Sequence, residues 1–135
     1  MRRLNGLLRL DDVNHLATFG AGVTGPDLEA QLQARGFTLG HFPQSFEYST
    51  LGGWIVTRSS GQQSLGFGRI ERLFAGGHLE SPAGALAMPD FPASAAGPDL
   101  REFALGSEGR LGIFTAATGG LRPSAPLATY GAVSF

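Results

Sequence analysis

Polar and apolar positions alternate in two short runs near the start of the chain. Leu7 to Asp11 (LLRLD) carries β-compatible residues and runs into the turn formers Asp11 and Asp12. Leu16 to Gly20 (LATFG) alternates small or polar residues with large apolar ones. A period of two is that of a half-buried strand, so two strands joined by a turn are expected, with His15 solvated in the turn. The period then lengthens. Between Thr24 and Arg35, Leu28 and Leu32 lie four apart on one face, with Gln31 and Arg35 outside, which predicts a helix. Thr24 is placed to cap it, Pro26 falls in its first turn, and Asp27 and Glu29 favour its positive end. Gly36 stands where a left-handed glycine commonly closes a helix, and Phe37 to Gly40 follows as a strand.

Further on, Gly52 to Arg58 (GGWIVTR) reads either as a short helix anchored by Trp54, Ile55 and Val56 or as a plain tight turn at the glycine pair. Ser60 to Gly68 reads as loop. Ile70 to Leu79 reads as a strand bulged at Gly76-Gly77, turned by Ser81-Pro82-Ala83-Gly84 into a returning strand, Ala85 to Met88, with His78 exposed beside the hairpin. Pro89 to Pro98 has no period and is loop. Asp99 to Leu105 restarts a helix with Leu100, Phe103 and Ala104 on one face, and Ile113 to Ala117 is a strand. Val133 and Phe135 look like the start of one more. Strands and helices succeed one another as in an α+β domain, a mixed sheet flanked by helices.

The chain has 135 residues and a formal net charge of −1, enough for one domain with a modest core and no electrostatic footing for nucleic acid. It has no cysteine, which excludes disulfides, thiolate catalysis and Cys-ligated metals. Its short, interrupted N-terminal apolar run is not a signal peptide, and no run is long enough to cross a membrane; a cytoplasmic location is expected. The 21 glycines and eight prolines place much of the chain in turns.

Two stretches stand apart. His41 to Gly61 (HFPQSFEYSTLGGWIVTRSSG) is poor in charge and dense in Ser, Thr and Gly. Short hydroxyls donate and accept, and glycine lets backbone come close to a ligand, so this stretch is read as the wall of a site for a polar, phosphate-bearing ligand. If GGWIVTR is helical, Ser49, Thr50 and the glycines lie at its N-terminus, where free N–H groups would seat a phosphate. Gly106 to Gly112 (GSEGRLG) is the second such stretch. Its Glu108 is either solvated or accepts hydrogen bonds from nearby N–H groups and holds the loop; the second reading is preferred. P-loop, Rossmann, zinc-protease and nucleophile-elbow motifs are absent, and a metal site is not expected.

The motifs, in order, resemble a known family. HFPQSFEYSTLGGWIVTRSSG, then GFGRIERL, SPAG and AAGPDLREFALGSEGRLGIFTAAT are similar to FAD-linked oxidases of the vanillyl-alcohol oxidase superfamily, with PCMH-type FAD-binding domains. The branch most resembled is that of alkyldihydroxyacetonephosphate synthase and its bacterial relatives; the helix from Val23 to Glu29 matches as well. The resemblance implies FAD held between two lobes. Its contacts would fall on Gln44, Ser45, Phe46, Glu47, Tyr48, Ser49 and Thr50, on Gly52 and Gly53 where the chain passes the cofactor, and on Thr57, Arg58, Ser59 and Ser60. A third group would be Glu108, Gly109, Arg110, Leu111, Gly112, Ile113 and Phe114. Departures are Phe67-Gly68 where relatives carry Tyr-Gly, and Ile70-Glu71-Arg72 where they often carry Ile-Glu-Asp. The family's glycine-rich pyrophosphate loop is not found before Leu7, and its cap domain with the catalytic residues would begin near Tyr130. The chain is therefore expected to be an internal piece of a larger enzyme, with 1–123 a partial FAD-binding domain and 124–135 the start of a truncated cap.

Three functions compete. The first reads the chain as the FAD-binding part of an enzyme acting on a small molecule: an acyl-glycerone phosphate in the synthase branch, or a 2-hydroxy acid or other alcohol in the oxidase branch. The resemblance allows a homodimer of the full-length enzyme. The other readings are a non-catalytic flavin-binding module and a remnant that does not fold alone.

Overall fold

The structure, a computed structural model, describes residues 3–91 and 95–125. In chain order its elements are β1 (Leu7–Asp11), β2 (Leu16–Gly20), α1 (Gly25–Gln33), β3 (Phe37–Thr38), α2 (Leu51–Val56), α3 (Ser64–Phe67) and α4 (Ile70–Leu73). There follow β4 (Phe74–Ser81), β5 (Gly84–Met88), α5 (Leu100–Ala104), β6 (Ile113–Gly120) and β7 (Arg122–Pro123). The α+β class holds. Among the described residues the sheet expected from sequence resolves into a five-stranded sheet, β1-β2-β6-β4-β5, and a two-stranded ladder of β3 and β7, with every pairing antiparallel.

The first hairpin forms as its alternation requires: Ala17 and Phe19 are buried while β1 keeps Leu8 and Arg9 outside. β6 lies in the centre. Its Thr118 stands opposite Thr18 of β2, and the two hydroxyls share a 2.8 Å hydrogen bond. α1 turns Leu28 and Leu32 into the core, each burial contributing about 2 kcal/mol. Thr24 is its N-cap, but the hydroxyl donates to Asp27 rather than capping a backbone N–H.

Four expectations need correction. Ile70 to Leu73 is one helical turn rather than strand: Ile70 and Leu73 are three apart, both are buried, and the strand starts only at Phe74. The loop from Ser60 contains α3. The apolar face expected for α5 is not buried, since Leu100 and Phe103 are 41% and 62% exposed and only Ala104 of the three packs inward. The strand expected over Phe37 to Gly40 stops at Thr38. The strand expected at Val133 and Phe135 lies outside the described residues.

Candidate functional site

Glu29 sets the entry to the site. The sequence places it near the positive end of α1, and in the fold it is 4% exposed. Its carboxylate accepts from Thr38 Oγ1 at 2.8 Å, from the Leu39 N–H at 3.0 Å and from the Gly40 N–H at 3.3 Å. Burial pushes the Glu29 carboxyl above the ordinary range, and the three donors work against that rise. The carboxylate thereby fixes the backbone leading to His41. Gly40 turns with a left-handed φ of 74°, and a Cβ there would run into the Phe67 ring.

His41 opens the first hydroxyl-rich stretch, and the sequence gives it no obvious carboxylate orienter. In the fold its ring is 1% exposed and lies edge-on to Trp54, centroids 5.0 Å apart. Its Nε2 is 2.6 Å from Ser59 Oγ. Burial holds its pKa down at about 4, so the ring is neutral.

Residues 43–49 form a tight turn, with Phe46 N donating to Pro43 O and Ser49 N to Ser45 O. The start of α1 presses against it: a Cβ on Gly25 would collide with Phe46. Ser49 is fully engaged. Its hydroxyl donates to Ser45 O at 2.7 Å and accepts from Trp54 Nε1 at 2.6 Å and from Ser45 Oγ at 2.9 Å. One donor and two lone pairs are thereby spent, so Ser49 pins the indole of Trp54 instead of facing a ligand.

The helical reading of GGWIVTR is correct, but its phosphate seat is not. The Leu51 N–H donates to Val23 O at 3.0 Å, the Gly52 N–H to Ala21 O at 2.8 Å, and the Gly53 N–H to the capping Thr50 Oγ1 at 3.3 Å. The donors that a free helix end would offer are taken by the strand-to-helix connection and the cap.

The second glycine stretch packs on the other end of α2. Gly106 N donates to Ile55 O at 3.1 Å and Glu108 N to Val56 O at 3.0 Å, satisfying carbonyls of the last turn. Arg58, with φ 49°, pairs with Glu102 at 2.6 Å and Glu71 at 3.6 Å. Gly106 sits against the Arg58 side chain. The expectation for Glu108 is overturned: its residue is exposed, and the loop is shaped by left-handed φ values at Glu108 (54°) and Gly109 (77°) and by backbone bonds. Phe114 is buried edge-on to Phe74, and a Cβ on Gly112 would meet the Glu80 carbonyl, so these two hold the fold.

Gln44 and Ser45 of the turn, with Pro43, face Ser59, Ser60, Gly61 and Gln62 across an open cleft of about 520 Å³. That size suits a small molecule or part of a larger one. Its polar lining groups are hydroxyls and amides, set among apolar surface that includes Pro43, with no charged side chain. The outward face of α2 is bare at Gly53, where a Cβ meets only Thr50 Oγ1 at 3.3 Å. Thr57 is exposed one turn on, its hydroxyl donating to Gly53 O at 2.9 Å. Glu47, Tyr48, Arg110, Leu111 and Ile113 are exposed, and Phe46 stacks over Trp54. The structure thus gathers Gln44, Ser45, Ser59 and Ser60 at the cleft. It places Thr57 and Arg58 beside the Gly106–Arg110 loop, outside the cleft, and turns Ser49, Gly52 and Phe114 inward. A neutral lining of hydroxyls, amides and apolar surface fits the hydroxyl and ring portions of FAD.

Comparison with known proteins places this antiparallel α+β domain in one class, the flavin-binding domains. The sequence pattern described as "FAD binding domain" matches residues 1–86, and the chain belongs to that family, whose cofactor is FAD. Among curated proteins it is 45% identical over 117 residues to alkyldihydroxyacetonephosphate synthase of Dictyostelium discoideum, covering 87% of this chain and 19% of that one. A solved structure of an alkyldihydroxyacetonephosphate synthase superposes with a TM-score of 0.87 at 41% identity, over 94% of this chain and 23% of that one. Glycolate oxidase subunit GlcD of Bacillus subtilis (strain 168) is 33% identical over 123 residues, 86% of this chain and 25% of that one. The chain therefore spans about a fifth to a quarter of the length of these relatives.

Proposed function

We propose that this chain is the FAD-holding part of a flavin-dependent enzyme related to alkyldihydroxyacetonephosphate synthase, acting on a small-molecule phosphate ester. The observation that carries the reading is the convergence of Gln44, Ser45, Ser59 and Ser60 on one cleft with no charged side chain in its lining. Bound there, FAD supplies a redox- and addition-active ring that no side chain of this chain provides. The residues of the chain bind and orient. Gln44, Ser45, Ser59 and Ser60 direct hydroxyls and amides at phosphate and ribityl oxygens, while Gly53 and Thr57 leave room along α2. In the loop at the far end of α2 the Glu108 and Arg110 N–H groups are held by Val56 O and Ser107 O, so Gly109 and Leu111 offer the backbone there.

Oxidation of a 2-hydroxy acid is the second reading, supported by the relative named glycolate oxidase subunit. The synthase reading is favoured because identity to that branch is higher, 45% against 33%. Titrating this chain with FAD and following flavin fluorescence tests the binding claim. Saturable quenching at one flavin per chain is expected, and a linear, unsaturated signal would overturn it. Bleaching of the bound flavin by glycolate or D-lactate would decide for the second reading.

A further inference from the structure

His41 and Ser59 meet at the inner edge of the cleft, and one atom of the pair is unpartnered. His41 Nε2 lies 2.6 Å from Ser59 Oγ, while Nδ1 is buried with no hydrogen-bond partner. The neutral ring has two tautomers. With the proton on Nδ1, a buried N–H would be orphaned and Nε2 would accept the Ser59 proton. With the proton on Nε2, only a bare lone pair is orphaned at Nδ1. Orphaned buried N–H groups are the rarer and costlier of the two, so Nε2 carries the proton and donates to Ser59 Oγ.

That choice decides what Ser59 can do. Its oxygen accepts from His41, so its own O–H must find an acceptor elsewhere. Its backbone is held at both sides, Ser59 N donating to Trp54 O at 3.0 Å and Ile70 N to Ser59 O at 3.3 Å. The residue is half-buried and lines the cleft. We propose that His41 is a positioning residue: by donating from Nε2 it commits the Ser59 hydroxyl proton to an acceptor oxygen of the ligand in the cleft. The identity of that ligand as FAD rests on the function proposed above. The pair works as a neutral relay of orientation; no proton is transferred. The neutral ring, with its pKa near 4, keeps this arrangement through neutral pH.

The test has one readout without flavin and one with it. In 15N NMR of the imidazole in the flavin-free chain, a protonated Nε2 and a bare Nδ1 are expected; the reverse tautomer overturns the proposal. In FAD titrations, Ser59→Ala is expected to weaken affinity roughly five- to tenfold, the worth of one hydrogen bond. His41→Leu is expected to cause a similar loss alone and no further loss in the Ser59→Ala background, while His41→Gln, which keeps an N–H donor, restores part of it. Thermal unfolding confirms that the variants compared are folded, and Ser59→Ala keeps the test intact if His41→Leu is not. Wild-type affinity in Ser59→Ala, or losses that add in the double variant, overturn the inference while leaving FAD binding standing. A wild-type chain that binds no FAD overturns the function proposed above and this role with it.

Discussion

Gly52 and Gly53 stand side by side in the first turn of α2, and a methyl group added to each meets different surroundings. At Gly52 it comes within 3.1 Å of both Ala21 Cβ and Ala21 O, and within 3.5 Å of Phe114 Cβ. The Ala21 carbonyl cannot retreat freely, because it accepts the Gly52 N–H at 2.8 Å. Overpacking of this kind costs about 1–3 kcal/mol, and replacing helical glycine returns about 1 kcal/mol. Gly52→Ala is therefore expected to destabilise the chain by about 1 kcal/mol, or about 3–5 °C in Tm. At Gly53 the one neighbour is Thr50 Oγ1 at 3.3 Å, whose retreat would stretch the capping bond it accepts from the Gly53 N–H. Gly53→Ala should therefore change stability by less than about 1 kcal/mol, the gain from replacing a helical glycine being offset by the weakened cap. Its cost falls on the ligand: Gly53→Val projects a branched side chain from the outward face of α2 and should lower FAD affinity by about tenfold or more, the equivalent of at least ~1.4 kcal/mol. Urea unfolding followed through Trp54, the one tryptophan, gives stability, and flavin quenching gives affinity. Gly53→Val binding FAD as tightly as wild type would refute the close-approach argument. A Gly52→Ala variant as stable as wild type would refute the packing argument.

Glu29→Ala leaves the Leu39 N–H and the Thr38 hydroxyl without their acceptor, while Gly40 N keeps Thr38 Oγ1 at 3.0 Å. A loss of about 3–4 kcal/mol is expected, read as a Tm lowered by about 10 °C or more. Because burial raises the Glu29 pKa above its ordinary 4.5, the folded chain binds that proton more tightly than the unfolded chain does. The stability from this difference is complete below 4.5 and is lost as pH rises through the folded value. The wild type should therefore lose stability relative to Glu29→Gln between that pH and neutrality, and parallel pH curves from urea unfolding would contradict this. Ser49→Ala removes the acceptor of Trp54 Nε1 and should cost about 1–2 kcal/mol of stability and alter the Trp54 emission, with FAD affinity changed less than twofold at constant fold. Gly40→Ala combines a φ of 74° with the Phe67 collision and should destabilise by at least about 2 kcal/mol in the same unfolding assay.

The elements that sequence made legible are those whose information is local. β1, β2 and the β4–β5 hairpin follow from a period of two and a Pro-Gly turn; α1 follows from Leu28 and Leu32 with Pro26 and Gly36 at its ends. Misreadings arose where two periods overlap. Ile70 and Leu73 lie beside Phe74, and the apolar run alone does not show that a helical turn precedes the strand. At the site, residue types pointed to the right stretch but not to each side chain's task. Ser49 looks like a ligand donor until Trp54 Nε1 is seen to occupy it. The amides at the start of α2 look free until Ala21 and Val23, about thirty residues earlier, supply their acceptors. Glu29 and His41 were missed for the same reason: their partners come from other elements, and only the fold shows a buried carboxylate holding a loop or an imidazole holding a serine.

The most direct measurement of the central claim is a map of backbone amide NMR shifts as FAD is added to the chain. Shifts should concentrate at Gln44, Ser45, Gly53, Thr57, Ser59 and Ser60, with a second group at Glu108 to Leu111 across the end of α2. Shifts gathered instead on the β4–β5 hairpin, or none at saturating FAD, would contradict the account.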